Sequence, residues 1–114
     1  MTTTRTSPRV LLAVLLTGCL NEDTFPRQVA VAACDRVAAC GGDSALIALG
    51  GRAECVDDLW FDLNAVRDSA AEIGCSFKPD DAADCLERLE TVRCEDFDLD
   101  LEIAQCGRAF GCTF

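Results

Sequence analysis

The chain has 114 residues, of which 20 are Asp or Glu, 10 are Lys or Arg and none is His. A formal net charge of −10 sets it against nucleic acid and anionic lipid surfaces, which repel an acidic domain. The missing imidazole removes the commonest general base, and with no Tyr and one lysine, Lys78, little is left for nucleophilic or acid–base chemistry. Ser44, Ser69 and Ser76 stand in no motif. The expectation is one domain without catalysis, cofactor or evident small-molecule substrate.

Residues 1–18 read as an export signal. Arg5 and Arg9 give a positive start free of acids, residues 10–16 are an unbroken apolar run, and Leu16-Thr17-Gly18-Cys19 closes it. A membrane-spanning helix needs roughly 20 apolar residues, and Asn21, Glu22 and Asp23 arrive too soon, so the run fits a signal peptide instead. The sequence Leu16-Thr17-Gly18-Cys19 resembles the lipobox of bacterial lipoproteins: an aliphatic residue, a small one, Gly or Ala, then the lipidated Cys. That resemblance implies cleavage before Cys19, acylation of its thiol and stable attachment to a membrane through several acyl chains. Leu20 stands where Asp commonly signals inner-membrane retention in this class, which points to the outer membrane. A small-x-small site at Ala30-Val31-Ala32 lies well past the apolar run, beyond acids and a proline. Removing Arg5 and Arg9 leaves 8 basic and 20 acidic residues, a net of −12.

Residues 19–25 are expected to be the lipidated Cys and a short tether, of which residues 20–25 reach roughly 20 Å when extended. A cysteine-rich helical domain then fills 26–114. Pro26 suits the first position of a helix that runs over 27–40 to a stop at Gly41-Gly42. Val29, Ala33, Val37 and Cys40 recur on it at helical spacing, as do Ala30, Cys34 and Ala38. Asp43 or Ser44 can cap a short turn over 45–49 before Gly50-Gly51. A second helix is predicted over 52–73: Cys55, Leu59, Leu63, Val66, Ala70 and Ile73 fall three and four apart, Trp60 and Phe61 widen the stripe, and Gly74 ends it. A third, over 79–93, turns Ala82, Cys85, Leu86, Leu89 and Val92 inward and places Asp80 and Asp81 in its first turn, where they complement the helix dipole. Residues 96–103 alternate strictly between polar and apolar, which is a strand period. With no partner strand, the expectation is an extended segment laying Phe97, Leu99 and Leu101 on the helices and turning helical near 101–108. The predicted fold is therefore all-α, a small disulfide-rich bundle of three principal helices with an extended, stapled C-terminal tail.

Apart from Cys19 the cysteines are Cys34, Cys40, Cys55, Cys75, Cys85, Cys94, Cys106 and Cys112. An even set in a short exported domain reads as a disulfide framework. Zinc would want close C-x-x-C pairs and His partners, and the chain has neither. On one helix Cys34 and Cys40 would be roughly 9 Å apart, beyond the roughly 7 Å that a bridge spans between Cα atoms, so each helix must be stapled to another element. An up-down-up arrangement favours Cys40–Cys55 and Cys34–Cys85. Cys75 and Cys94 then take Cys106 and Cys112 in either order.

The helical Ala-Cys-Asp-Arg-Val-Ala-Ala-Cys at 33–40, a Cys opening the long second helix, Phe77-Lys78-Pro79-Asp80-Asp81 before the third, and Cys94 closing it together resemble the cysteine-rich lipoproteins of myxobacterial type. Phe77 and Lys78 depart from the more usual Tyr and Asp of that group. The resemblance implies an address and a fold, without an activity.

The leading expectation is a non-catalytic envelope protein, held to the membrane by its lipid anchor, with a structural role or a protein partner in the envelope. The alternative is an acidic calcium or other cation-binding module. Asp96-x-Asp98-x-Asp100 is similar to the start of an EF-hand loop, although Leu101 sits where that turn needs Gly and Gly107 where the bidentate Glu belongs. In an extended segment Asp96, Asp98, Asp100 and Glu102 would share one face.

Overall fold

Three helices run up, down and up: α1, Phe25–Ala48; α2, Arg52–Glu72; and α3, Pro79–Thr91. In this computed structural model the described residues are 20–112. Residues 1–18, expected to be an export signal, and Cys19 lie outside them. A 3-10 turn at Cys94–Asp96, a fourth helix α4 at Leu99–Cys106 and a second 3-10 turn at Gly107–Phe110 complete the chain. No helix among the described residues is long and apolar enough to cross a membrane.

Polar ties show the helix directions. Arg52 at the start of α2 pairs with Asp35, and Arg67 near its end reaches Asp23 at 3.6 Å, so α1 and α2 are antiparallel. Arg36 of α1 donates from Nε to Leu89 O at 2.9 Å and from Nη2 to Glu90 O. Those carbonyls lie in the last turn of α3, where the helix cannot satisfy them itself. One side chain thereby caps α3 and holds it parallel to α1.

The core forms where α1, α2 and α3 meet the tail. Phe25, Val29 and Ala33 pack with Leu63, Ala70, Ala82, Leu89, Ala109 and Phe110. Phe25 touches Phe77 and Phe110 edge-on, with ring centroids 5.7 and 5.6 Å away. Complete burial of such a side chain contributes roughly 1.5–3 kcal/mol. A smaller cluster of Ala30, Cys34, Cys55 and Val56 seals α1 against α2.

Four features differ from the sequence expectation. The tail turns helical as expected, but from Leu99 and not only near 101: Asp98 accepts a hydrogen bond from Leu101 N at 3.2 Å as the N-cap of this helix, α4, a favourable helix start. Leu99, Glu102, Ile103 and Cys106 then face inward at helical spacing, while Leu101, expected inward, is 51% exposed. The polar–apolar alternation is thus overridden by a cap and a buried ion pair.

The bridges are Cys34–Cys55, Cys40–Cys94, Cys75–Cys112 and Cys85–Cys106, with Cα atoms 6.1, 5.3, 5.7 and 5.2 Å apart. Cys40–Cys55 and Cys34–Cys85 do not form. Cys75–Cys112 is one of the two orders left open, and the companion Cys94–Cys106 is replaced. The reason is the length of the α1–α2 connection. The backbone breaks at Gly42 (φ +74°) as expected, the expected short turn forms as a helical extension to Ala48, and α2 therefore returns level with Cys34 instead of Cys40. Cys34 faces α2, so Cys40, about one and two-thirds turns further on, is free to meet Cys94 beyond the end of α3.

The stripe on α2 is narrower than expected. Phe61 is 74% exposed on its outer face, and Trp60 lies at the edge at 36%. Ile73, past the helix end, is exposed as well. Finally, residues 20–24 are folded and do not form a tether. Leu20 packs against the core, and Asn21 Oδ1 accepts from the Asp23 and Thr24 amides at 2.8 and 3.0 Å, the Asx-turn habit of this residue type.

Candidate binding groove

Because α1 lies between α2 and α3, it has two sides to cover. α4 and the final 3-10 turn cover one. On the other, positions 24, 27, 28, 31, 32 and 35 of the α1 segment line an open groove of about 550 Å³, walled by Trp60 of α2 and by Leu86 and Glu90 of α3. Val31 and Ala32 give an aliphatic floor, while Asp23 and Asp35 stand at its two ends.

The Arg27 guanidinium lies 4.8 Å from the Trp60 ring centroid, a cation–π contact worth about 0.5–1 kcal/mol at an exposed site. This contact steadies the indole at the rim. Gln28 also lines the groove, and its Oε1 is buried without a hydrogen-bond donor, the one such side-chain atom among the described residues. The lining therefore combines an aromatic wall, an aliphatic floor, an unmet acceptor and three carboxylates around one guanidinium. Ligand sites have this character, a mostly apolar concavity with few polar groups.

A second, smaller pocket lies between α3 and α4, lined by Asp81, Asp84, Arg88, Glu102, Gln105 and Arg108 beside the Cys85–Cys106 bridge. Arg88 hydrogen-bonds Glu102 there, and the carboxylate holds the guanidinium pKa above its ordinary value. The pair fills the pocket's polar centre and fastens α4.

The acidic run does not assemble as one face. Asp96 accepts from Arg93 at 3.3 Å, Asp98 caps α4 and Glu102 is buried on Arg88, while Asp100 stays exposed. No group of three or more potential metal-ligating side chains comes together among the described residues. All eight domain cysteines are in bridges.

No family model matches the chain, and neither a curated protein nor a solved structure matches it.

Sequence reasoning missed the groove, because each lining residue reads as an ordinary helix position. Trp60 carried the available signal: it is the only tryptophan and stands beside, not within, the heptad-like stripe of α2.

Proposed function

We propose that this chain is a lipid-anchored, non-catalytic protein of the bacterial outer membrane, cut before Cys19, whose helical domain serves a structural or protein-interaction role in the envelope. The observation that carries the interaction reading is the open groove at Trp60: an exposed aromatic wall on a rigid, disulfide-bonded frame. Tryptophan and arginine are the side chains most often found at the energetic centres of interfaces. The anchor reading rests on Leu16-Thr17-Gly18-Cys19 after its apolar run. Packing of Leu20 on the core fits it, since a lipid on Cys19 would hold the domain directly against its membrane with no slack between.

Intact mass of the membrane-extracted product, with and without reduction and alkylation, tests the anchor. The expected product begins at Cys19, carries acyl chains and shows eight thiols only after reduction. An unlipidated mass would remove the membrane address. Crosslinking in intact cells tests the role: a reproducible protein partner is expected, and a chain that captures none has no interaction function.

A further inference from the structure

The groove has an unpaired charge at its rim, and an unsatisfied acceptor is shut beneath its lining. Gln28 Oε1 is buried and accepts no hydrogen bond from any described residue, although buried polar atoms are almost always satisfied. The Glu90 carboxylate forms no ion pair with a described cation; Arg36 reaches only its backbone oxygen. Arg27, the one guanidinium lining the groove, lies over Trp60. Glu90 therefore calls for a cationic donor.

We infer that the groove binds a basic, amphipathic segment of a partner polypeptide, which inserts an apolar side chain between Trp60 and Leu86 and offers the N–H groups of an Arg or Lys to Glu90. The inference rests on the interaction role proposed above and names the chemistry of the partner. Charge complementarity across the whole surface favours the same class of occupant. Among the described residues 20 acids face 8 bases, which draws a basic partner in and rejects anionic ones. Nucleotides and acidic lipid headgroups would meet Asp23, Asp35 and Glu90 at the rim and are disfavoured for that reason. The volume of about 550 Å³ accommodates an anchor side chain with its neighbours.

Trp60 is the only tryptophan, so its fluorescence reports directly on the groove. The mature lipidated chain in phosphatidylcholine nanodiscs is titrated with short peptides in which leucine alternates with arginine, serine or glutamate, with empty nanodiscs as blank. The arginine peptide is expected to bind at least about tenfold tighter than the serine peptide, a preference that high salt weakens. Glu90→Gln lowers that preference severalfold. Equal binding of all three peptides, preference for the glutamate peptide, or neither fluorescence change nor heat with the arginine peptide overturns the inference. A photo-crosslinking residue replacing Leu86 or, separately, Phe61 in intact cells separates the two proposals. Capture of a basic segment from position 86 supports both. Capture from position 61 alone leaves an interaction role but removes the groove, and capture from neither removes both.

Discussion

Arg88 meets Glu102 in a two-point ion pair across the α3–α4 contact, Nε to Oε1 at 2.8 Å and Nη2 to Oε2 at 2.9 Å. Glu102 is 2% exposed, the one buried charged residue among those described, while Arg88 is open to solvent on its other side. Removing one member of such a pair strands the other, whereas replacing both with apolar groups is often tolerated. Arg88→Met should therefore lower the melting temperature more than Glu102→Gln, and Arg88→Met with Glu102→Leu should recover part of the loss. Circular dichroism melts read this order. A double variant no better than Arg88→Met alone would show that the pair does not act as a unit. The raised Arg88 pKa adds no pH dependence near neutrality. A group with a raised folded-state pKa contributes fully below its unfolded value and loses that contribution only as pH climbs through the folded one, here under strongly alkaline conditions.

Proteolysis without reduction, followed by mass spectrometry, should recover linked peptides for Cys34–Cys55, Cys40–Cys94, Cys75–Cys112 and Cys85–Cys106. Bridges stabilise mainly by restricting the unfolded chain, more for longer loops. Cys40–Cys94 spans 54 residues and Cys34–Cys55 and Cys85–Cys106 span 21 each. On loop length alone this corresponds to about 4 against about 3 kcal/mol, upper figures because the remaining bridges already restrict the chain. Replacing Cys40 and Cys94 together with Ala should lower stability the most of these three pairs. A peptide linking Cys34 to Cys85 would contradict the fold at its centre.

Gly111 has φ +94°, and a Cβ there would come 2.1 Å from Ser76 O. This approach lets the tail lie against the α2–α3 connection, where Lys78 N donates to Ala109 O at 2.7 Å and Cys75 meets Cys112. Gly111→Ala must both adopt a left-handed backbone and displace a carbonyl, at a cost of about 1–3 kcal/mol. Gly42→Ala, with φ +74° but nothing within 4 Å of the added carbon, should cost less. Urea unfolding of the two variants makes the comparison, and equal losses would mean that the contact with Ser76 is unimportant.

Asp98 serves the backbone of α4 through Leu101 N. Asp98→Ala should lower stability by about 1 kcal/mol, and by the same amount in millimolar calcium as in chelator. Calcium should leave the melting temperature of the parent chain unchanged, because Asp96, Asp98 and Glu102 each hold a different partner. A calcium-dependent rise that Asp98→Asn with Asp100→Asn abolishes would restore the acidic run as a cation site.

The helices of the bundle were legible wherever burial follows a local period. Val29 and Ala33 lie one turn apart, Leu63 and Ala70 and likewise Ala82 and Leu89 two turns apart, and all reach the core. Pro26 and Pro79 mark helix starts, and Gly42 the break in α1, because their backbone constraints act within a residue or two. The eight cysteines after Cys19 and the acidic surface are likewise properties of composition. The start of the tail helix at Leu99 was hidden because its evidence is split between a local cap at Asp98 and a distant arginine. Alternation alone could not reveal that Glu102 faces inward.

Which cysteine meets which, and where a groove opens, belong to tertiary structure. A helical extension past Gly42 shifts the level at which α2 returns, and that shift decides both the Cys34–Cys55 and Cys40–Cys94 bridges. Trp60 and Leu86 become facing walls only because α1 separates α2 from α3 and the tail covers just one of its sides. Periodicity specifies which face of a helix is apolar. The axial register between helices, and the side left uncovered, depend on connection length and packing against distant residues, which no local pattern encodes.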